Sequence, residues 1–272
     1  MKSAFVTLIR REFWESKSLW MVPLGAAVLV IGTSLFATMR VGADGPGTVN
    51  LSQPLGSMGG MALAGFAAFL AMVGGVIILT YLTDCLFSER KDRSILFWKS
   101  LPVSDAQTVL SKLAVGMVVM PLLLLLLAVL THFAVSVIMM FRFDNPQLFA
   151  GYWSGWANAL ARISVTGVFG LLWYAPVAVY LMLASVIAKR APLLYVIGPP
   201  LILILWERLM LDSTHAAKFL IGRLALRRGE NLIGPSAEPW LAFQDSQLWI
   251  GLAVAAGMLY IVIRLRRYRD DT

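Results

Sequence analysis

Apolar residues run along the chain in six long blocks, at 19–39, 61–87, 113–140, 162–187, 193–210 and 248–263, separated by polar stretches. A helix of about 20 predominantly apolar residues crosses the hydrocarbon core of a bilayer, so each block predicts a membrane span. Residues 3–18, ahead of the first block, follow another pattern. At helical spacing Phe5, Val6, Ile9 and Phe13 share one face while Thr7, Arg10, Arg11 and Lys17 take the other. This predicts an in-plane amphipathic helix at the headgroup boundary, a depth that also suits the indole of Trp14 on its polar side. No small-residue cleavage site follows the first block, which predicts a retained helix rather than a signal peptide. The expected fold class is an all-α integral membrane protein with six transmembrane helices, residues 1–272 forming one transmembrane domain.

Several blocks carry helix-breaking residues. Pro23 lies in first turns, where its missing N–H costs little, and Pro121 and Pro176 predict kinks. Pro199-Pro200 argues against a straight fifth helix, and a re-entrant segment is the other reading of 193–210. In the second block Gly56, Gly60, Ala64 and Ala68 form one small-residue ridge and Ala67, Ala71 and Gly75 another. Such ridges let helices approach closely, inside the monomer or along a homodimer seam.

Charge sets the orientation. Lys2, Arg10, Arg11 and Lys17 precede the first block, Arg90, Lys91, Arg93, Lys99 and Lys112 fill residues 88–112, and Lys189-Arg190 follow the fourth block. Arg264, Arg266, Arg267 and Arg269 close the chain. The positive-inside rule places all of these in the cytoplasm, and with them both termini. The opposite loops hold Arg40 and Arg142, with Arg162 at a span edge and an aromatic belt of Tyr152, Trp153 and Trp156. Residues 211–246 go against the rule with Lys218, Arg223, Arg227 and Arg228. They are expected outside nonetheless, because the sixth block and the tail fix the orientation, with 215–228 as a helix on the outer surface.

The segment 88–112 is the longest polar interruption between two spans on the cytoplasmic side. It holds a charged cluster from Glu89 to Arg93, an apolar cluster of Ile95, Leu96, Phe97 and Trp98, and a Leu101-Pro102 break. Ser104 with Gln107 three residues on predicts a capping box that opens the next helix. A mere connection needs only a few residues. The pattern predicts a short helix across the inner face that bends directly into a span.

The order of Glu89, the charges, Arg93-Ser94-Ile95-Leu96, then Ser100-Leu101-Pro102-Val103-Ser104 and Leu110-Ser111-Lys112-Leu113 resembles the first cytoplasmic loop of permeases in the type-2 ABC exporter family. In that family the loop is a coupling helix seated in a cleft of the ATP-hydrolysing subunit. Where the family often reads Glu, Gly-Thr-Leu, Ser-Pro, this chain has Arg93-Ser94-Ile95 and places Leu101 before Pro102. The resemblance implies that residues 1–272 are one permease domain. It implies that Glu89, Arg90, Asp92 and Arg93 form a charged docking rim, with Ser94, Leu96, Phe97, Trp98 and Pro102 completing the surface. It further implies an in-plane helix built on Phe5, Ile9, Arg10, Arg11 and Phe13, a homodimer or heterodimer of permease subunits, and a bacterial cytoplasmic (inner) membrane location. ATP and Mg would be bound by a separate ABC ATP-binding subunit, with no cofactor or metal in this chain.

Composition supports membrane insertion. The chain is 59% hydrophobic and 14% charged with mean hydropathy +0.77, against about 25% charged in a soluble domain. The net charge of +8 sits at block ends, where snorkelling and headgroup contact explain it, and no basic stripe points to nucleic acid. Cys85 is the only cysteine, which excludes an internal disulfide. Asp84, His132, Arg162 and Glu207-Arg208 lie towards block ends and are expected as interfacial anchors. The middles of the blocks hold no ionisable group, which disfavours a proton- or sodium-driven carrier. The P-loop pattern G-x-x-x-x-G-K-[ST] is absent, as are G-x-S-x-G, H-E-x-x-H and C-x-x-C, so no catalytic residue is expected. The expectation is an ATP-driven exporter subunit that borrows its motor and moves an amphiphilic drug, antibiotic, peptide, lipid or glycan. The rivals are an ATPase-coupled mechanical or sensing module and a gradient-driven carrier.

Overall fold

In the computed structural model the secondary structure is helical throughout the described residues, which are 2–43, 55–95, 103–143, 153, 155–224 and 243–268, with no strand among them. The helices are α1 (Lys2–Glu15), α2 (Ser18–Ala43), α3 (Leu55–Asp84), α4 (Phe87–Lys91) and α5 (Asp105–Ala114). They continue as α6 (Met120–Phe143), α7 (Trp156–Ile187), α8 (Pro192–Leu211), α9 (His215–Leu224) and α10 (Ser246–Tyr268). Six stretches are long and apolar enough to cross a membrane: Ser18–Phe36, Gly60–Lys91, Asp105–Phe141, Trp156–Ile187, Pro192–Leu211 and Ser246–Tyr268. The chain has the architecture of a multi-pass membrane protein, and each stretch contains one of the six apolar blocks, in whole or for most of its length.

Helix ends differ from the hydropathy boundaries for local reasons. The capping box forms at the start of α5, with Gln107 N donating to Ser104 Oγ and Ser104 N donating to Gln107 Oε1, both at 3.2 Å. The third span therefore begins at Asp105, well before the apolar run. Between α5 and α6 lies a π-helical turn, Val115–Val119. Pro121 has no N–H for the carbonyl of Met117 and its ring crowds that carbonyl, a conflict that a wider turn relieves. At the other end of the chain α10 runs to Tyr268, so Arg264, Arg266 and Arg267 are helical rather than part of a free tail. Arg264 donates to Tyr260 Oη one turn back at 2.8 Å.

The helix α8 is continuous through Pro199 and Pro200. These prolines leave the carbonyls of Tyr195 and Val196 without their amide partners. Near the end of α8 stands Glu207, which is buried. The carboxylate accepts from His215 N at 2.8 Å, from Ala216 N at 2.6 Å and from Ser213 Oγ. Glu207 thus satisfies the first free amides of α9 and places a negative charge at its N-terminus. Asp212 in the left-handed conformation (φ 44°) turns the chain between the two helices.

The chain divides into two compact units. One comprises Lys17–Ile77 and Met120–Val165. Its core is Ala26, Ala27, Leu70, Leu124 and Ala128, where α2 packs along α6. On α6, Leu122, Leu126 and Leu130 form an exposed ridge while Leu124 and Ala128 are buried, although both faces are apolar. That is expected where lipid is the solvent. Here His132 is buried, its ring edge-on to Trp153 at 4.9 Å, and Trp153 Nε1 donates to Ser136 Oγ at 3.1 Å. His132 is thereby packed among aromatic rings, Phe66 and Trp153. Trp153 and Trp156 pack together at 5.2 Å, while Tyr152 of the expected belt lies outside the described residues.

The other unit comprises Met1–Ser16, Ile78–Val119 and Thr166–Thr272. Its core gathers Leu82, Leu86, Val109, Val179, Met182, Val186 and Val262, and includes the sole cysteine, Cys85. Leu82 lies 3.0 Å from where a Cβ would stand on Gly116, which explains a glycine in the π-helical turn.

Candidate functional site

The second unit named above holds a cluster of charged side chains where α1, α4, α5 and α10 meet. Five contacts order it. Lys112 Nζ of α5 reaches Glu12 Oε1 and Oε2 of α1 at 2.8 and 2.9 Å and Glu89 Oε1 of α4 at 3.1 Å. Arg266 Nη1 of α10 donates to Glu89 Oε2 at 2.7 Å, and its Nε lies 3.3 Å from Asp105 Oδ1. Tyr81 Oη of α3 donates to Glu12 Oε2 at 3.0 Å. Glu12, Lys112, Arg266 and Glu89 are only 3–5% exposed. Each carboxylate is held by a cation, as it must be away from water.

The helix α4 is also fastened to the end of α7. Ser185 Oγ accepts from Leu86 N and Phe87 N at 3.1 and 3.0 Å, so two backbone donors at the start of α4 are satisfied by a side chain 98 or 99 residues away. In return Arg90 Nη2 donates to Ser185 O at 2.7 Å and Ala188 O at 2.8 Å. The last carbonyls of a helix lack amide partners and carry its negative dipole end, so a guanidinium there satisfies both needs. Ser94 Oγ closes α4 by donating to Glu89 O at 3.2 Å. Arg93 adopts φ 55°, the left-handed conformation that commonly reverses the chain after a helix.

The residues expected to form a docking surface are thus divided. Glu89 and Arg90, expected on an exposed rim, are buried and spend their charge on internal partners. The driving reason is compensation: Glu89 shares the charge of the buried Lys112 and Arg266, and Arg90 satisfies carbonyls at the end of α7. Asp92 and Arg93 are exposed, Ser94 is half-buried, and Ile95 is buried. Leu96, Phe97, Trp98 and Pro102 lie outside the described residues. On α1, Phe5, Ile9 and Phe13 are half-buried and Arg10 is exposed, whereas Arg11 pairs with Glu15 at 2.8 Å. The ridge that α1 buries is Leu8 with Glu12, offset from the apolar face read on the helical wheel.

Glu12, Lys112 and Arg266 were not legible as partners. The available signal was slight: Glu12 stands one turn after Leu8 on a segment otherwise rich in arginine. Among the described residues no group of histidine, cysteine, aspartate or glutamate side chains could hold a metal ion. Chemically the cluster is a set of buried ion pairs that joins the five-residue α4 to α5 and α10, and α5 in turn to α1. No family model, no curated protein and no solved structure matches this chain.

Proposed function

We propose that the chain is the membrane-spanning permease subunit of an ATP-driven exporter, powered by a separate ABC ATP-binding subunit that binds ATP and Mg. The observation that carries this reading is the anchoring of α4. A segment that receives a push from a motor must pass it on rather than bend, and α4 is tied by buried charges to α5, α10 and the end of α7. Exposed Asp92 and Arg93 at its end are the groups offered to the motor, beside the apolar run Leu96-Phe97-Trp98 in the sequence. A desolvated aromatic anchor beside a polar rim is the usual composition of an interaction hot spot.

The subunit would sit in a bacterial cytoplasmic membrane with both termini inside. Two such subunits, identical or different, would enclose the path of an amphiphilic cargo. A gradient-driven carrier is less well supported, because the buried carboxylates Glu12 and Glu89 are each already held by a lysine or arginine.

The test is purification of the full chain from its own host in a mild detergent, with nucleotide hydrolysis measured in the recovered complex. Asp92→Lys with Arg93→Asn, and separately Trp98→Ala, are expected to lose the co-purifying hydrolysis while keeping the thermal stability of the parent. Undiminished hydrolysis in both variants, or none in the parent, removes the proposal.

A further inference from the structure

A cavity of about 1070 Å³ lies among α7, α8, α9 and α10, all its lining residues belonging to one unit. It is at the upper end of ligand-sized pockets, roughly 300–1,000 Å³. Its two ends differ in chemistry. At one end Arg223 of α9 meets Gln247 at the start of α10, and Lys218 of α9 also lines the cavity; along α10 the wall then becomes Ile250, Val254 and Met258. Eleven residues separate Gln247 from Met258, about 16 Å at the helical rise. On the facing α7, Trp173 stands beside Arg223 and Val177 follows one turn on, in the apolar part.

Among the described residues no carboxylate lines the cavity; the nearest in sequence, Asp245, accepts from Gln247 N at 3.0 Å. The Arg223 guanidinium lies over the Trp173 ring at 4.2 Å and its Nη1 donates to Gln247 O at 3.3 Å. Its Nη2 is buried against Gly251 and has no hydrogen-bond partner among the described residues. Trp173 Nε1 in turn donates to Arg223 O at 3.0 Å and Tyr174 Oη to Leu224 O at 2.9 Å, which fixes the end of α9 in place. Burial also draws the Arg223 pKa below its usual value, the mark of a desolvated cation. A positive end with no carboxylate among its described lining residues, and a long apolar wall, define what fits: one negative headgroup and an acyl chain, joined.

We propose that this cavity binds an anionic phospholipid, its phosphate at Arg223 and Lys218 and an acyl chain along Val177, Ile250, Val254 and Met258. The site stands independently of any ATP-hydrolysing partner, because its test uses no nucleotide. The purified full chain in detergent is titrated with phosphatidylglycerol and with phosphatidylcholine of the same acyl chains, bound lipid being counted by native mass spectrometry. Glycerol phosphate serves as the headgroup without a chain. Phosphatidylglycerol is expected at one saturable site, preferred over phosphatidylcholine by roughly tenfold or more, the scale of a charge-assisted contact. Arg223→Gln abolishes the preference, Lys218→Gln reduces it, and glycerol phosphate does not compete. Equal binding of the two lipids overturns the proposal, as does competition by glycerol phosphate at lipid concentrations. Because Lys218 is exposed, its substitution leaves packing intact. An unchanged preference in Lys218→Gln therefore overturns the proposal whatever becomes of Arg223→Gln.

Discussion

Tyr180 of α7 and Val196 of α8 are joined by a hydrogen bond from the phenol to the backbone carbonyl at 3.0 Å, and the same hydroxyl reaches Tyr195 O at 3.2 Å. These are the two carbonyls that Pro199 and Pro200 deprive of amide donors four residues on. One proton serves both acceptors as a three-centre bond. An apolar span can keep a double proline when a neighbouring helix satisfies what the prolines leave open.

Tyr180→Phe therefore removes the donor and leaves two carbonyls unsatisfied, at a cost of about 1–3 kcal/mol. The expected result is a lower thermal unfolding midpoint in detergent and faster amide exchange in Leu201–Ile204, the turn following the prolines. A variant with unchanged midpoint and unchanged exchange would show that the carbonyls find another donor.

The Lys112–Glu89 contact belongs to a buried network, so its two partners should not act independently. Glu89→Gln leaves Lys112 and Arg266 short of an anion, and Lys112→Met leaves Glu12 and Glu89 short of a cation. Each single change is expected to destabilise by about 3–5 kcal/mol, as for a buried pair stripped of one partner. The double variant should cost less than the sum, with a coupling of at least about 1 kcal/mol. Equilibrium unfolding of the four proteins in mixed micelles measures the cycle, and strict additivity would refute the coupling.

How far the sequence reveals this protein depends on the range of the interaction. Hydropathy over 18–20 residues marks all six spans, and Ser104 with Gln107 announces the start of α5, because both signals are local. The partners of the charged cluster are not local: Glu12 and Lys112 are 100 residues apart, and Glu89 and Arg266 are 177 apart. In sequence Lys112 and Arg266 look like any other base at the cytoplasmic end of a span. Glu89 and Arg90 likewise look like neighbours in a solvated charge run until α5, α7 and α10 are folded against them. The small-residue ridges of α3 show the same limit. Gly75 has open space around its missing Cβ, while adjacent Gly74, off both ridges, is the position against which Leu124 packs.

That packing makes Gly74 a sensitive position. A Cβ there would meet Leu124 Cδ1 and Cδ2, and would lie 3.1 Å from Cγ. Gly74→Ala must push the Leu124 side chain out of a buried site, at about 1–3 kcal/mol for overpacking. Leu124→Ala in the same chain provides the room, so the pair should be more stable than the sum of the two single changes predicts. Thermal unfolding of the three variants checks this, and an innocuous Gly74→Ala would mean that Leu124 relaxes freely.

The path of α8 decides on which side of the membrane the basic α9 lies. Pro192–Leu211 is 20 residues long, close to the roughly 30 Å needed to span at the helical rise. Lys189 before it and Lys218 after it are both exposed. Cys85, the only cysteine, is buried in the core and should stay silent towards a bulky maleimide, so single cysteines can be introduced into the parent sequence. With a membrane-impermeant maleimide on sealed, right-side-out vesicles, Lys218→Cys is expected to label at once and Lys189→Cys only after permeabilisation. If both label only after permeabilisation, α8 enters and leaves by the same face, and α9 belongs with the other basic segments on the inside. The reverse order would turn the whole orientation over. With α9 inside beside the other basic segments, Lys218 and Arg223 would add to the cytoplasmic charge rather than oppose it, whereas a reversed orientation would leave most of the bases outside, against the positive-inside rule.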